Sequence, residues 1–178
     1  MKSVFHFLVS PKDGKQYVTE KKLETSSLIT ASSIENAFDV NRVGIVIETP
    51  VGYSGSINIG DTVIVHHNIF RDYYSQNGDI KHSKEYLFDG MFIVGENEIF
   101  MYNQSNKWEA NIDYCIVKPS NQQLIGEVVY SNNNLFIGKR MGFISESEYE
   151  MVIQEGKEEV LYYRMKNSDI CIEYEEFK

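Results

Sequence analysis

Ile57-Asn58-Ile59-Gly60-Asp61-Thr62-Val63-Ile64-Val65-His66-His67 runs an apolar approach into a Gly-Asp corner and out again as a β-branched strand. Glycine suits such a corner because it adopts positive φ without steric cost, and Val and Ile suit the pleated strand that follows. The chain uses the layout twice, the second time as Leu135-Phe136-Ile137-Gly138-Lys139-Arg140-Met141-Gly142-Phe143. Gly60, Asp61 and Gly138 are therefore expected as structural corners.

Three further landmarks recur in the same order. Each copy opens on an apolar strand ending at proline, Phe7-Leu8-Val9-Ser10-Pro11 and Cys115-Ile116-Val117-Lys118-Pro119. A glycine-led strand precedes each corner, Gly44-Ile45-Val46-Ile47 and Gly126-Glu127-Val128-Val129. Each copy closes on a polar residue, an acid and a short apolar strand, Asn97-Glu98-Ile99-Phe100-Met101-Tyr102 and Ser168-Asp169-Ile170-Cys171-Ile172. The order predicts a degenerate tandem repeat of a small β unit, about 110 residues and then about 70. Residues 1–104 are expected as the first unit, 105–112 as a connector and 113–178 as the second.

The remaining chain reads as strands and turns. Lys12 to Lys22 is a polar hairpin or turn, and Leu28-Ile29 is an isolated apolar pair between serine- and threonine-rich flanks, which favours a surface loop. Asn77-Gly78-Asp79 is a turn, Asp89-Gly90 between two apolar runs is a two-residue hairpin, and Gln154 to Glu158 is an exposed hairpin loop. No stretch holds a helical period. The expected class is all-β, as two small antiparallel barrels in tandem.

Charge narrows the partners. Seventeen Lys and Arg against 26 Asp and Glu give a net charge of -9, without a block of like charge, so neither duplex nucleic acid nor an anionic membrane is an expected partner. No stretch approaches the ~20 apolar residues that span a bilayer. With no secretion signal and two cysteines that form no disulfide framework, a cytoplasmic setting is expected. Asn103-Gln104-Ser105 matches a glycosylation sequon by chance on that reading.

These residues resemble a known family. Gly138 through Tyr149-Glu150, then Leu161-Tyr162-Tyr163-Arg164-Met165 and Ser168-Asp169-Ile170, are similar to the C-terminal half of the GroES-like co-chaperonins. Val9-Ser10-Pro11, Gly44-Ile45-Val46, Ile59 to Ile64 and Asn97-Glu98-Ile99 repeat the resemblance in the first copy, and His66 to Tyr74 looks most like divergent bacteriophage members. The resemblance implies a non-catalytic barrel protein, without cofactor or metal, that caps a chaperonin ring in the host cytoplasm and assists folding. It places the chaperonin anchor in a mobile loop from Gln16 to Asn41, at Leu28, Ile29 and Thr30. Ser120 to Ile125 leaves no room for such a loop in the second copy. It also implies a homo-oligomer, with Glu98–Tyr102 pairing Asp113–Lys118 inside one chain and strands 4–9 and 169–174 as open edges. The alternatives are a structural or accessory phage protein that kept the barrel, and a ligand- or metal-binding barrel.

Chemistry offers little against this. His66 and His67 on one strand are expected to point to opposite faces and so not to chelate one ion together. His82 and Asp72 complete a possible set that matches no standard metal spacing. Cys115 and Cys171 read as small core residues, and no histidine follows His82 to activate either as a nucleophile. Phe70, Tyr73, Tyr74, Tyr86 and Phe88 with Arg71 and Lys81 invite base stacking, but the acidic chain favours a hydrophobic mini-core or a contact between subunits.

Overall fold

The computed structural model describes residues 2–18, 20–22, 27–29, 37–144, 149–155 and 158–174. The chain divides into two compact units, Met1–Gln104 and Ser105–Lys178. In the first, six strands belong to one seven-stranded sheet: β1 (Phe7–Pro11), β2 (Val43–Glu48), β3 (Thr62–Val65), β4 (Tyr86–Phe88), β5 (Met91–Val94) and β6 (Ile99–Gln104). Their order across the sheet is β6-β3-β2-β1-β5-β4. The second unit contributes β7 (Tyr114–Pro119), β8 (Ile125–Ser131), β9 (Arg140–Phe143), β10 (Tyr149–Glu155), β11 (Glu158–Lys166) and β12 (Ile170–Tyr174). They stand in the order β12-β9-β8-β7-β11-β10, the same topology with every label raised by six.

The register repeats as well. Pro11 faces Gly44 and Pro119 faces Gly126. Each opening ladder shifts by one residue, between Leu8 and Val9 and between Ile116 and Val117. The corners match: Gly60 N donates to Val46 O and Gly138 N to Val128 O, both at 2.8 Å, with φ of 90° and 77°. A single 3₁₀ turn, Glu96–Glu98 or Asn167–Asp169, leads into each closing strand, and each closing ladder carries its own one-residue shift. The close approach of the opening strands follows from glycine. A Cβ on Gly44 would overlap Val9 Cγ1, and one on Gly126 would overlap Val117 Cγ1, so only glycine lets β2 and β8 lie against β1 and β7 there.

Alternation decides the core. Val9, Val46, Val63 and Val65 bury one face of the first sheet against Phe7, Phe70 and Phe92, while Ser10, Ile45 and Thr62 point the other way. Phe70 meets Phe92 edge-on at 4.9 Å between centroids, and Phe7 meets Tyr53 at the same distance, a geometry favoured by the ring quadrupoles. The second core is smaller, built on Cys115, Val117, Val128, Met141, Phe143 and Met165.

The sheets are open, and this overturns the resemblance. Closing a barrel requires the first and last strands to pair at a fixed stagger, yet among the described residues the end strands of neither sheet are hydrogen-bonded to each other. In the first unit, the end strand β4 is only Tyr86–Phe88 and its ladder to β5 is itself irregular. The tandem GroES-like barrels are thus corrected to two open all-β sheets. With the barrel go the co-chaperonin that caps a chaperonin ring, the bacteriophage protein that kept a barrel, and the ligand- or metal-binding barrel.

Smaller expectations change too. Strand 4–9 is not an open edge: β1 begins at Phe7 and lies between β2 and β5. Asp113–Lys118 cannot receive Glu98–Tyr102, because β7 is already paired on both sides, by β8 and β11. Apart from these changes, the stretch expected as a connector, residues 105–112, includes a turn at Ser105 and Asn106, both with positive φ, and the strand Lys107–Ala110.

Candidate functional site

The interval Gln16 to Asn41 is zipped at its base. Asn41 N donates to Gln16 O at 2.8 Å, Val18 N donates to Asp39 O at 2.9 Å, and Tyr17 is fully buried. Leu28 and Ile29 stand on the short strand Ser27–Ile29, whose backbone pairs with Glu20–Lys22 so that Lys21 faces Leu28 and Glu20 faces Ile29. Thr30 lies outside the described residues.

The histidines part company with the alternation expected of them. β3 ends at Val65, so His66 and His67 have left the strand, and their rings stack at 4.3 Å instead of pointing apart. His66 Nδ1 accepts the Asn68 amide at 3.1 Å, which occupies the single acceptor lone pair a neutral imidazole could offer a metal. Burial, with His66, Arg42 and Arg71 adding like charge, pushes His67 down to about 4, so it is neutral at pH 7. Among the described residues no three His, Cys, Asp or Glu side chains are grouped to hold a metal.

Asp72 and His82 do meet. His82 Nδ1 lies 2.8 Å from Asp72 Oδ1, Gln16 Nε2 donates to the same oxygen at 3.1 Å, and the Asp72 amide donates to the Tyr17 hydroxyl at 2.8 Å. The His82 ring leans on Tyr86 at 4.0 Å. Asp72 and His82 bracket the short hairpin of Tyr73–Tyr74 and Ile80–Lys81, so their bonds to each other and to Gln16 and Tyr17, with the ring contact to Tyr86, close the base of that excursion and fasten it to β4. Tyr17 is pushed up to about 12, chiefly by burial, and stays a neutral acceptor. Of the expected aromatic group, Phe70 is core and Tyr86 packs on Phe92 at 5.3 Å, while Tyr73, Tyr74 and Phe88 are exposed.

The second unit holds a different arrangement. Lys118 faces Glu127, Glu127 faces Arg140, and Arg140 faces Tyr174, so one cross-strand row spans β7, β8, β9 and β12. The matching row in the first unit is Ser10, Ile45, Thr62 and Asn103, without a charge. The row adjoins an open groove of about 600 Å³ at the end of the second sheet. Arg140 is oriented in it: Nη2 donates to Gln122 Oε1 at 2.5 Å, and Cζ stands 5.7 Å from the Tyr174 ring centre. Lys139 Nζ pairs with Glu173 Oε1 at 2.6 Å. At the equivalent corner of the first unit, Asp61 Oδ2 instead accepts Asn58 N at 2.7 Å and Gln104 Nε2 at 2.9 Å, tying the loop down.

The row ends on β12. Its inner side pairs with β9, and no strand among the described residues pairs with its outer side. Ile172 is 50% exposed and Tyr174 38%. Cys171, expected in the core, is exposed, because it is the extra residue where the β9–β12 ladder shifts; Cys115 is buried and its thiol is pushed up to about 12 by that burial. Alternation alone did not reveal the row, since cross-strand neighbours depend on a register that only the pairing fixes.

Compared with family models, with curated proteins and with solved structures, the chain matches none. No helix among the described residues is long and apolar enough to cross a membrane.

Proposed function

We propose that this chain is a non-catalytic assembly module that joins copies of itself into a closed oligomer through the outer edge of β12. The observation that supports it is that edge, whose outer backbone side no strand among the described residues pairs, with its exposed Ile172 and Tyr174. An open strand edge is a row of unsatisfied donors and acceptors, and proteins that stay monomeric blunt such edges with charge, proline or a covering element. Size argues the same way. A small unit buries a low fraction of its surface, and the second unit leaves Leu135, Ile137, Ile144 and Leu161 exposed as well as Ile172. Adding a strand across β12 satisfies its backbone and covers Ile172 in one step.

Native mass and light scattering at micromolar concentration test this, with wild type beside Ile172→Lys. The wild type is expected as a defined oligomer. The variant, with a charge on the edge and an unchanged circular dichroism spectrum, is expected to fall to smaller species. A wild type that stays monomeric sinks the reading.

A further inference from the structure

The row of charges across the second sheet is not needed for edge pairing, because adding a strand engages the backbone of β12. We infer that Arg140, Lys118 and Lys139 make the groove at the end of the second sheet a binding site for an oxyanion, the carboxylate or phosphate group of a small ligand.

Two copies of one framework differ at this face. Register, bulges and corner hydrogen bonds are retained, yet Ser10, Asp61 and Thr62 are replaced at their equivalents by Lys118, Lys139 and Arg140. Three cations now surround one sheet end in a chain whose net charge is -9. Two carboxylates, Glu127 and Glu173, accompany them. Glu173 is engaged by Lys139, so the local balance leaves one net positive charge facing the groove.

Geometry favours arginine as the reader. A guanidinium is a planar fork that matches carboxylate and phosphate with two parallel hydrogen bonds. Gln122 takes one Nη2 hydrogen and Tyr174 supports the plane, so the orientation is set before a ligand arrives and less rotamer entropy is lost on binding. A groove of about 600 Å³ lies within the range of small-molecule sites. It has room for more than the oxyanion itself, with Tyr174 offering an apolar face to the remainder.

Isothermal titration with inorganic phosphate and with succinate, at ionic strength matched in chloride, tests the site. Saturable binding is expected for at least one of them, and which one binds identifies phosphate or carboxylate as the group read. Arg140→Ala is expected to weaken binding about tenfold. Arg140→Lys, which keeps the charge and loses the fork, should fall between that variant and wild type, and Glu127→Gln should tighten binding by removing the competing carboxylate. Should Arg140→Ala lose its circular dichroism signature, Lys118→Ala reads the same site from an exposed position. Equal heats in wild type and in the folded Arg140 or Lys118 variants, or none beyond those of chloride, overturn the inference. The outcome is independent of self-association, since a monomer presents the same face.

Discussion

Gly44 and Gly126 show how one missing carbon sets the approach of two strands. Replacing either by alanine drives a methyl group into the valine beside it, Val9 or Val117, and overpacking of this kind costs about 1–3 kcal/mol. Urea denaturation of Gly44→Ala and Gly126→Ala should show losses of similar size in the two units; a neutral outcome at one of them would break the equivalence. Gly60 and Gly138 differ in kind, having positive φ and open space around them, so alanine there costs about 1 kcal/mol through backbone strain alone. Tyr17→Phe removes the acceptor of the buried Asp72 amide, and an orphaned buried donor costs about 1–3 kcal/mol. Titration supplies a further check. His67 is held near 4 in the folded chain against 6.5 free, so the unfolded chain binds the proton first and stability is lost as pH falls from about 6.5 through about 4. His67→Gln should flatten that limb of a pH series of chemical melts. At the other end Tyr17 and Tyr53, each at about 12 against 10.0 free, lose their stabilising contribution as pH rises from about 10 toward 12.

At the scale of elements, hairpins and corners are local and were legible. Asp89-Gly90 predicts a two-residue turn, and both residues have positive φ, as the right-handed twist of the flanking strands requires. The paired landmarks at Pro11 and Pro119, Gly60 and Gly138, and Asn97-Glu98 and Ser168-Asp169 all take equivalent places because each is a backbone requirement written as a residue type. Closure is not local. It depends on whether strands far apart in sequence reach each other, and strand composition is the same in an open sheet and a barrel. For that reason the sequence pointed to barrels and the two sheets are open. The site was hidden for a related cause: Lys118, Glu127, Arg140 and Tyr174 become neighbours only through register. The paired histidines misled because β3 stops at Val65, one residue before the alternation would have separated His66 from His67. Ile172→Lys and Leu161→Lys separate edge from surface. Both add a charge at an exposed position of the second unit, but only the β12 variant is expected to lower the native mass, and equal effects of the two would argue for diffuse apolar association.

Across the whole molecule, one six-strand framework occurs twice and its copies have diverged on their surfaces. The first carries the larger core and the Asp72–His82 fastening; the second carries the cationic row and the open β12 edge. Self-association through that edge would bury the outer backbone of β12, and amide hydrogen exchange of residues 170–174 across a dilution series reads that burial. Amides on the outer side of β12 are expected to be protected at high protein concentration and to exchange freely on dilution or in Ile172→Lys, while those bonded to β9 stay protected throughout. Outer amides that exchange freely at every concentration, in a chain whose β9–β12 ladder is intact, would contradict it.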